Sequence, residues 1–463
     1  MRNHEKIEAA INGGLELPKR IIHRIQSFLN GKEAAQTTVL SKSWHTAWLT
    51  RPNVVLDEND FLRFGYQIDG FPDLAKKTLQ RYEDTKLKID SLRLCLCRHS
   101  AEFREPRVGT LSNELIVKAL GMGITHLHVE VNWDIVLTRE VFGAENLVGL
   151  SLDGCIIDLG MDPKVTFSSL ESLSLEGVQI VDSDIISNII SNCPLIKKLS
   201  LSNICDLQNI LMKFDPMFFR DLLSKFPSIE DFTLRSCINV QQVSSRSLRR
   251  LTFSEPWNSI KFDVPNIRKF MYDGSAIPSV SFKSTSTEWE SHVSIYAQYN
   301  LSTLWFRRLN KFLTKLRRSK IHLSLNVKTN KSFDYESDDI QGLPKPEVEN
   351  LTMDVGCLPS LSCYAIFDGL FLTCRPKLIT QYLYPYCKKS NDFLWKTLAR
   401  QMNGQFWTPS RSMYGLQDLK EVNVQLFDEE VSVWRDLPWE SLLDATTSLE
   451  DMQRIRFQLK WKP

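Results

Sequence analysis

The segment LVGLSLDGCIIDLGMDPKVTFSSLESLSLE, residues 147–176, contains one short pattern twice. In each copy an apolar residue is followed by two variable residues, a leucine, one variable residue and a second leucine. The copies begin at Leu147 and Leu170, which are 23 residues apart. Because side chains alternate between the two faces of a strand, Leu150 and Leu152 predict a strand that buries one face and exposes the other.

The same pattern recurs along most of the chain. Copies begin at Ile89, Ile124, Leu147, Leu170, Ile196, Ile229, Leu248 and Ile267, and later at Val348, Leu419 and Met452. Most intervals between the earlier copies lie near the 20–29 residues of a leucine-rich repeat. The sequence therefore predicts an α/β fold, a leucine-rich-repeat solenoid with a parallel sheet on its concave face. We expect leucine-rich repeats over residues 85–280. Over residues 281–463 we expect degenerate repeats with helical insertions near residues 301–318 and 391–401.

The variable position directly after the second strand leucine is predicted to face the concave surface, which such repeats use for binding. This position is acidic in three successive copies and basic in a later one: Glu130, Asp153, Glu176 and Arg235. Adjacent strands lie about 4.8 Å apart, so the three carboxylates are predicted to form an acidic ladder. The ladder is either a solvated rim or a substrate-binding surface for a basic protein segment.

A second distinctive segment, residues 15–49, reads LELPKRIIHRIQSFLNGKEAAQTTVLSKSWHTAWL. Its apolar residues recur at three- and four-residue steps, Asn30 and Gly31 interrupt the first run, and Ser41 can cap a later one. This arrangement predicts three short helices. So few residues cannot bury that much apolar surface among themselves. The segment is therefore either a helical cap on a larger domain or a module that docks onto another protein.

This N-terminal segment resembles the plant-type F-box. The matching residues are the opening pair Leu17-Pro18, then Ile22, Ile25, Ser27, Phe28 and Leu29, then Val39-Leu40-Ser41-Lys42 with Trp44 and Trp48. The departures are Asn30-Gly31, where the family has a proline, and Ser43 and His45, where basic residues are usual. A later stretch, Ser191–Pro194 followed by Leu199–Leu201, resembles the Cys-Pro-led repeats of plant F-box proteins.

The resemblance implies a three-helix F-box at residues 10–55. It implies docking onto a Skp-type adaptor, which in turn binds a cullin. The adaptor contacts that it implies are Leu17, Pro18, Ile22, Ile25, Leu29 and Leu40. Trp44 and Trp48 fit either this contact surface or the interior of the module.

Composition restricts the partners and the compartment. The formal net charge is +2, which is too small to imply a polyanionic partner. Leu301–Lys331 contains nine Lys or Arg residues and no acidic residue. We expect these on the solvated face of an amphipathic helix, without a nucleic-acid role, because stacking aromatics are not interleaved with them.

The apolar runs are too short to span a membrane, and we predict an intracellular protein of the nucleus or cytoplasm.

Motifs of catalysis and metal binding are not recognisable in the sequence. The ten cysteines include no Cys-x-x-Cys pair, and there is no phosphate-binding loop or nucleophile elbow. His126 and His128 can share one strand face, but no third metal ligand accompanies them, so we interpret both as surface histidines. We therefore predict a chain that is not an enzyme and that needs no metal or cofactor.

Taken with the resemblance, the sequence predicts a substrate-recognition adaptor of a Skp–cullin–F-box ubiquitin ligase. The F-box would bind the ligase, and the repeats would bind an unknown protein substrate. Two alternatives are a non-catalytic leucine-rich-repeat scaffold and a co-receptor for a hormone or other small molecule such as an inositol phosphate. The observation that favours the co-receptor is the basic Leu301–Lys331 segment, whose positive charge could bind an inositol phosphate.

Overall fold

A computed structural model describes the chain over the following residues: 17–29, 31–63, 70–96, 106–131, 135–160, 165–182, 184–206, 211, 218–224, 226–237, 240–254, 259–283, 288–297, 301–327, 336, 339–356, 358–384, 387–402, 414–439, 441 and 452–462. The chain divides into two compact units, Met1–Met212 and Lys213–Pro463. Among the described residues, no helix combines the length and the apolar character required to cross a membrane.

The first unit begins with three helices: α1 (Lys19–Gln26), α2 (Gly31–Gln36) and α3 (Lys42–Leu49). Ser41 caps α3, because its Oγ accepts a hydrogen bond from the Trp44 backbone N–H at 3.4 Å. Buried Gln26 ties α1 to the following segments, since its Nε2 donates to Thr37 Oγ1 at 3.0 Å and to the Trp44 carbonyl at 3.3 Å. Asn30, which with Gly31 interrupts the first apolar run, lies outside the described residues.

The rest of the first unit is built around a parallel sheet. Its strands, in spatial order, are β1 (Asn53–Asp57), β2 (Ser91–Cys95), β3 (His126–Glu130), β4 (Gly149–Asp153), β6 (Ser172–Glu176) and β8 (Lys198–Ser202). Helices α4 (Glu58–Arg63), α5 (Phe71–Asp84), α6 (Pro106–Gly121) and α7 (Asp184–Ser191) lie between them in the chain. A second, smaller parallel sheet contains β5 (Ile156–Ile157), β7 (Gln179–Ile180) and β9 (Cys205–Asp206).

The predicted strand pattern is confirmed in this unit. Each strand from β2 to β8 in the larger sheet contains the two inner anchors of one copy of the pattern, and those anchors are buried, as Leu150 and Leu152 are in β4. Strand β1 was missed because Arg51 occupies the position of the first apolar residue before Val54 and Leu56.

The second unit also contains a parallel sheet. Its strands are β10 (Asp231–Arg235), β12 (Arg250–Ser254), β14 (Lys269–Gly274), β16 (Glu290–Ala297), β17 (Lys320–Val327), β18 (Glu347–Asp354) and β19 (Arg375–Leu383). A small parallel sheet contains β11 (Gln242–Ser244), β13 (Ile260–Asp263) and β15 (Val280–Lys283). The helices are α8 (Phe218–Ser224), α9 (Thr303–Leu316), α10 (Ser360–Thr373) and α11 (Lys388–Met402). The predicted helices near residues 301–318 and 391–401 are confirmed as α9 and α11.

The chain direction changes at the C-terminal end of this sheet. Strand β19 pairs antiparallel with β22 (Gln453–Trp461), and β22 pairs antiparallel with β20 (Leu419–Asp428). Strand β20 then pairs antiparallel with β21 (Val433–Asp436). The pattern copies beginning at Leu419 and Met452 do form strands, but these are not parallel repeat strands. Alternating apolar residues specify one buried face, and they do not specify the direction of the partner.

Candidate interaction surfaces

The helices α1–α3 and the residues around them expose large apolar side chains. Phe28 is 72% exposed, Val39 is 85% exposed and Leu40 is 63% exposed. We name the exposed members of this segment the N-terminal apolar set: Leu17, Ile21, Phe28, Val39 and Leu40. Single exposed apolar residues are ordinary, but five within one short helical segment are typical of a surface that contacts a partner.

The predicted adaptor contacts fall into different environments in this segment. Leu17, Pro18 and Leu40 are exposed, and Ile25 and Leu29 are half-buried. Ile22 is only 1% exposed, so its side chain packs inside the helical segment. Trp44 and Trp48 are both half-buried. Three exposed residues were not predicted as contacts: Ile21, Phe28 and Val39. The sequence did offer one signal for Ile21, because two adjacent isoleucines, Ile21 and Ile22, cannot both point to the same side of α1.

The predicted acidic ladder is present in the first unit. Glu130 is in register with Asp153, and Asp153 with Glu176, on three adjacent parallel strands. Glu130 and Asp153 are half-buried, whereas Glu176 is exposed. Arg235 lies in the second unit, where it is exposed and in register with Ser254. The structure thus places the three carboxylates side by side, and Arg235 belongs to a different set of strands.

Glu130 has a counter-charge that the sequence did not reveal. Arg93 occupies the neighbouring strand, and its Nη2 lies 3.9 Å from Glu130 Oε2. The Arg93 Nε donates to the Cys95 Sγ at 3.2 Å. Burial raises the pKa of the Cys95 thiol to about 11, so the thiol stays protonated at neutral pH. The self-repulsion of the ladder is therefore reduced at this end.

His126 and His128 have different surroundings although they share one strand. The Thr125 hydroxyl lies 3.0 Å from His126 Nδ1. His128 instead lies beside Glu130 and Cys95, with its Nε2 at 3.9 Å from Glu130 Oε2. Burial and the charge of Arg93 lower the pKa of His128, which is therefore neutral at pH 7. The structure therefore groups His128 with Cys95 and Glu130, and His126 is not part of this group.

Helix α9 divides into a buried face and a basic face. Its buried residues include Phe306, Leu309, Phe312, Leu313 and Leu316. The basic residues in and after α9 are exposed: Arg307, Arg308, Lys311, Lys315, Arg317, Arg318 and Lys320. The prediction that these residues lie on a solvated face is confirmed.

Known proteins with a similar sequence include several from Arabidopsis thaliana. An F-box/FBD/LRR-repeat protein is 29% identical over 197 residues, which cover 42% of this chain and 43% of the relative. An F-box/LRR-repeat protein is 24% identical over 54% of this chain and 50% of its own length. This chain is similar to plant F-box/leucine-rich-repeat proteins. No protein-family model matches it.

The extent of these matches differs between plant F-box/leucine-rich-repeat relatives. The chain spans about half the length of the relatives just named. A third relative, an FBD-associated F-box protein of the same plant, is 25% identical over 406 residues, which cover 82% of this chain and 89% of the relative. The similarity to plant F-box proteins therefore extends well beyond the N-terminal segment that first indicated it.

Proposed function

We propose that the chain is a substrate-recruiting adaptor of a Skp–cullin–F-box ubiquitin ligase. In this proposal the helices α1–α3 form an F-box that docks onto a Skp-type adaptor. The parallel strands that follow act as a leucine-rich-repeat solenoid that holds a protein substrate. The observation that carries the proposal is the N-terminal apolar set, which lies within the segment that resembles the F-box.

The energetics of the N-terminal apolar set support docking. Full burial of a Val, Leu or Phe side chain contributes about 1.5–3 kcal/mol relative to its exposed state. Most of this free energy is still to be gained at three residues, because each is more than half exposed in this structure: Phe28, Val39 and Leu40. Large apolar side chains of this kind act as interface anchors when a partner covers them. Ile22 contributes indirectly, because its packing positions α1.

The strands would supply recognition without chemistry. The acidic ladder of Glu130, Asp153 and Glu176 presents carboxylates in register along three neighbouring strands. A substrate segment carrying Lys or Arg would be attracted to them. The ligase reaction would then occur on other subunits, and this chain would increase its rate by holding the substrate close to the active site.

Reconstitution with purified proteins tests the proposal directly. The full chain is mixed with a plant Skp-type adaptor and a cullin, and complexes are separated by size-exclusion chromatography. We expect co-elution of all three proteins, with the cullin retained only when the adaptor is present. If the chain elutes apart from the adaptor, the interaction scaffold replaces the ligase subunit as the function.

A second prediction concerns substrate capture by the acidic ladder. Changing Glu130, Asp153 and Glu176 together to lysine reverses the charge of this surface. We expect fewer captured proteins in proximity labelling, because charges of this kind govern association rate and partner choice. Adaptor binding should be unchanged, since the N-terminal apolar set lies elsewhere in the chain.

The matched control carries the same change of charge at exposed positions outside the strands, Glu83, Asp84 and Glu145. We expect this control to capture the same proteins as the unmodified chain. Equal losses in both triple variants would mean that net charge, and not the ladder, determines capture. No loss in either variant would identify the ladder as a solvated rim.

A further inference from the structure

A glutamate and two histidines meet on one face of the second unit's sheet. Glu290 and His292 lie on β16, two residues apart, and His322 lies on β17 in register with His292. One ligand atom from each of the three side chains lies within 4.8 Å of the other two. His292 Nε2 is 3.4 Å from Glu290 Oε2. The imidazole rings are stacked, with centroids 4.7 Å apart and an angle of 11° between their planes.

The register of the parallel strands produces this cluster. Residues two apart on a strand point to the same face, and paired residues on neighbouring strands are about 4.8 Å apart. Glu290, His292 and His322 therefore converge through backbone pairing, although His292 and His322 are 30 residues apart in sequence. Both histidines are half-buried and Glu290 is exposed, so the cluster faces solvent on one side.

The donor set matches the chemistry of a zinc ion. Two imidazoles and one carboxylate, with water as the fourth ligand, form a recurrent tetrahedral zinc site. Zinc lies about 2.0–2.2 Å from such ligands, which places the ligand atoms about 3.4 Å from each other. The His292–Glu290 separation already has this value. Because the two rings are stacked, one imidazole must turn out of the stack before both nitrogens can point at one ion.

Charged residues on the neighbouring strands surround the cluster. Lys269 and Lys320 are in register with Glu290 on the two neighbouring strands, and Glu349 also acts on His322. The two lysines oppose the binding of a cation, whereas the two glutamates favour it.

We propose that Glu290, His292 and His322 bind one divalent transition-metal ion of the zinc class, with a fourth coordination position open to solvent. This site is separate from the N-terminal apolar set and from the acidic ladder. It stands whether or not the chain is a ligase subunit. The open position is accessible to a water molecule or to a ligand atom of another molecule.

A second mixed cluster among the described residues, Cys95, His128 and Glu130, is less suitable. Its three ligand atoms are also within 4.8 Å of one another. However, Arg93 already contacts two of the three groups. Its side chain donates a hydrogen bond to Cys95 Sγ at 3.2 Å and forms an ion pair with Glu130 Oε2 at 3.9 Å. Burial also holds the Cys95 thiol protonated. A metal ion there would have to displace the guanidinium and the thiol proton.

Metal titration of the full chain, purified without a histidine tag, tests the proposal. Co²⁺ is added first, because its visible absorption reports tetrahedral coordination, and Zn²⁺ is then added as a competitor. We expect one Co²⁺ per chain, displaced by Zn²⁺. Changing even an outer-shell partner of a ligand weakens metal sites by ~10–100-fold, so His292→Gln and His322→Gln, which remove ligands, should each weaken Co²⁺ binding by at least ~10-fold, and the double variant should bind no measurable Co²⁺.

Four further variants make the result specific. His45→Gln and His126→Gln remove exposed histidines outside the cluster and should leave Co²⁺ binding unchanged. Lys269→Met removes an opposing charge and should tighten binding. The proposal is overturned if His292→Gln and His322→Gln bind Co²⁺ as the unmodified chain does, or if His128→Gln alone abolishes binding. Thermal melts of each variant confirm that the fold is retained.

Discussion

Changing both Val39 and Leu40 to aspartate is expected to abolish binding of the Skp-type adaptor while leaving the chain folded. Both side chains are mostly exposed, at 85% and 63%, so the substitutions remove little packing within the chain. In the proposed complex they would be covered, and an unpaired carboxylate buried at an interface is strongly unfavourable. Loss of two apolar anchors plus this penalty predicts a Kd increase of at least ~100-fold.

Surface plasmon resonance with immobilised adaptor measures this loss, and two variants control for other causes. Leu195→Asp adds a charge at an exposed apolar residue outside the helical segment and should bind normally. Ile22→Ala removes a buried side chain and is expected to lower stability by about 2–5 kcal/mol, which separates unfolding from loss of contact. Normal adaptor binding by the Val39/Leu40 double variant would exclude these residues from the docking surface.

The substitution Asn310→Asp is expected to destabilise the second unit by at least ~3 kcal/mol at pH 8. Asn310 is buried on α9, and its Nδ2 donates to the Pro344 carbonyl at 2.6 Å and to the Thr373 carbonyl at 2.8 Å. These bonds connect α9 to the segment that precedes β18, which begins three residues after Pro344, and to the last residue of α10. A carboxylate at this position has no hydrogen to donate, so it would face two carbonyl oxygens and repel both.

The effect of Asn310→Asp should depend on pH. Burial next to two acceptors raises the pKa of the introduced carboxyl in the folded state above the ~3.9 of the unfolded chain. Because the folded-state pKa is raised, stability is highest below the unfolded-state pKa of ~3.9 and falls as pH rises from there to the folded-state pKa. Urea unfolding followed by tryptophan fluorescence should therefore show a larger deficit at pH 8 than at pH 5.

Asn310→Ala is the matched control for this experiment. It also leaves the Pro344 and Thr373 carbonyls without their donor, at a cost of about 1–3 kcal/mol each, but it introduces no titrating group. Its deficit should be the same at both pH values. If the stability lost in Asn310→Asp does not change with pH, the introduced carboxylate is solvated in the folded state. Residue 310 of α9 would then have moved toward solvent.

The sequence predicted strands where all three positions of the pattern are apolar. It missed β19 because Gln381 occupies the position of the second anchor, after Ile379, and a buried glutamine does not register in an apolar pattern. It placed β20 and β22 correctly as strands. It could not predict their antiparallel pairing, because direction is determined by the connecting segments and by the neighbours in space.

The sequence also predicted one candidate site and missed another, depending on whether the strands follow the regular repeat. The acidic ladder was predictable, because equal spacing between copies places Glu130, Asp153 and Glu176 in register. The Glu290–His292–His322 cluster was not predictable, because the interval between β16 and β17 contains helix α9 and departs from the repeat length. The sequence also could not predict which apolar side chains of the helices α1–α3 are exposed. Ile21 and Ile22 are adjacent, and of these two Ile22 is the buried one.

The reversal of chain direction after β19 has a consequence for how this gene can vary. A parallel stack accepts the insertion or deletion of a whole unit, because every strand offers the same pairing to its neighbour. The antiparallel block of β19, β22, β20 and β21 offers no such equivalent position, since β22 and β20 each have one specific partner on each side and β21 pairs with β20. Differences in length among relatives should therefore accumulate before Arg375, and the stretch from there to Trp461 should keep a constant number of strands.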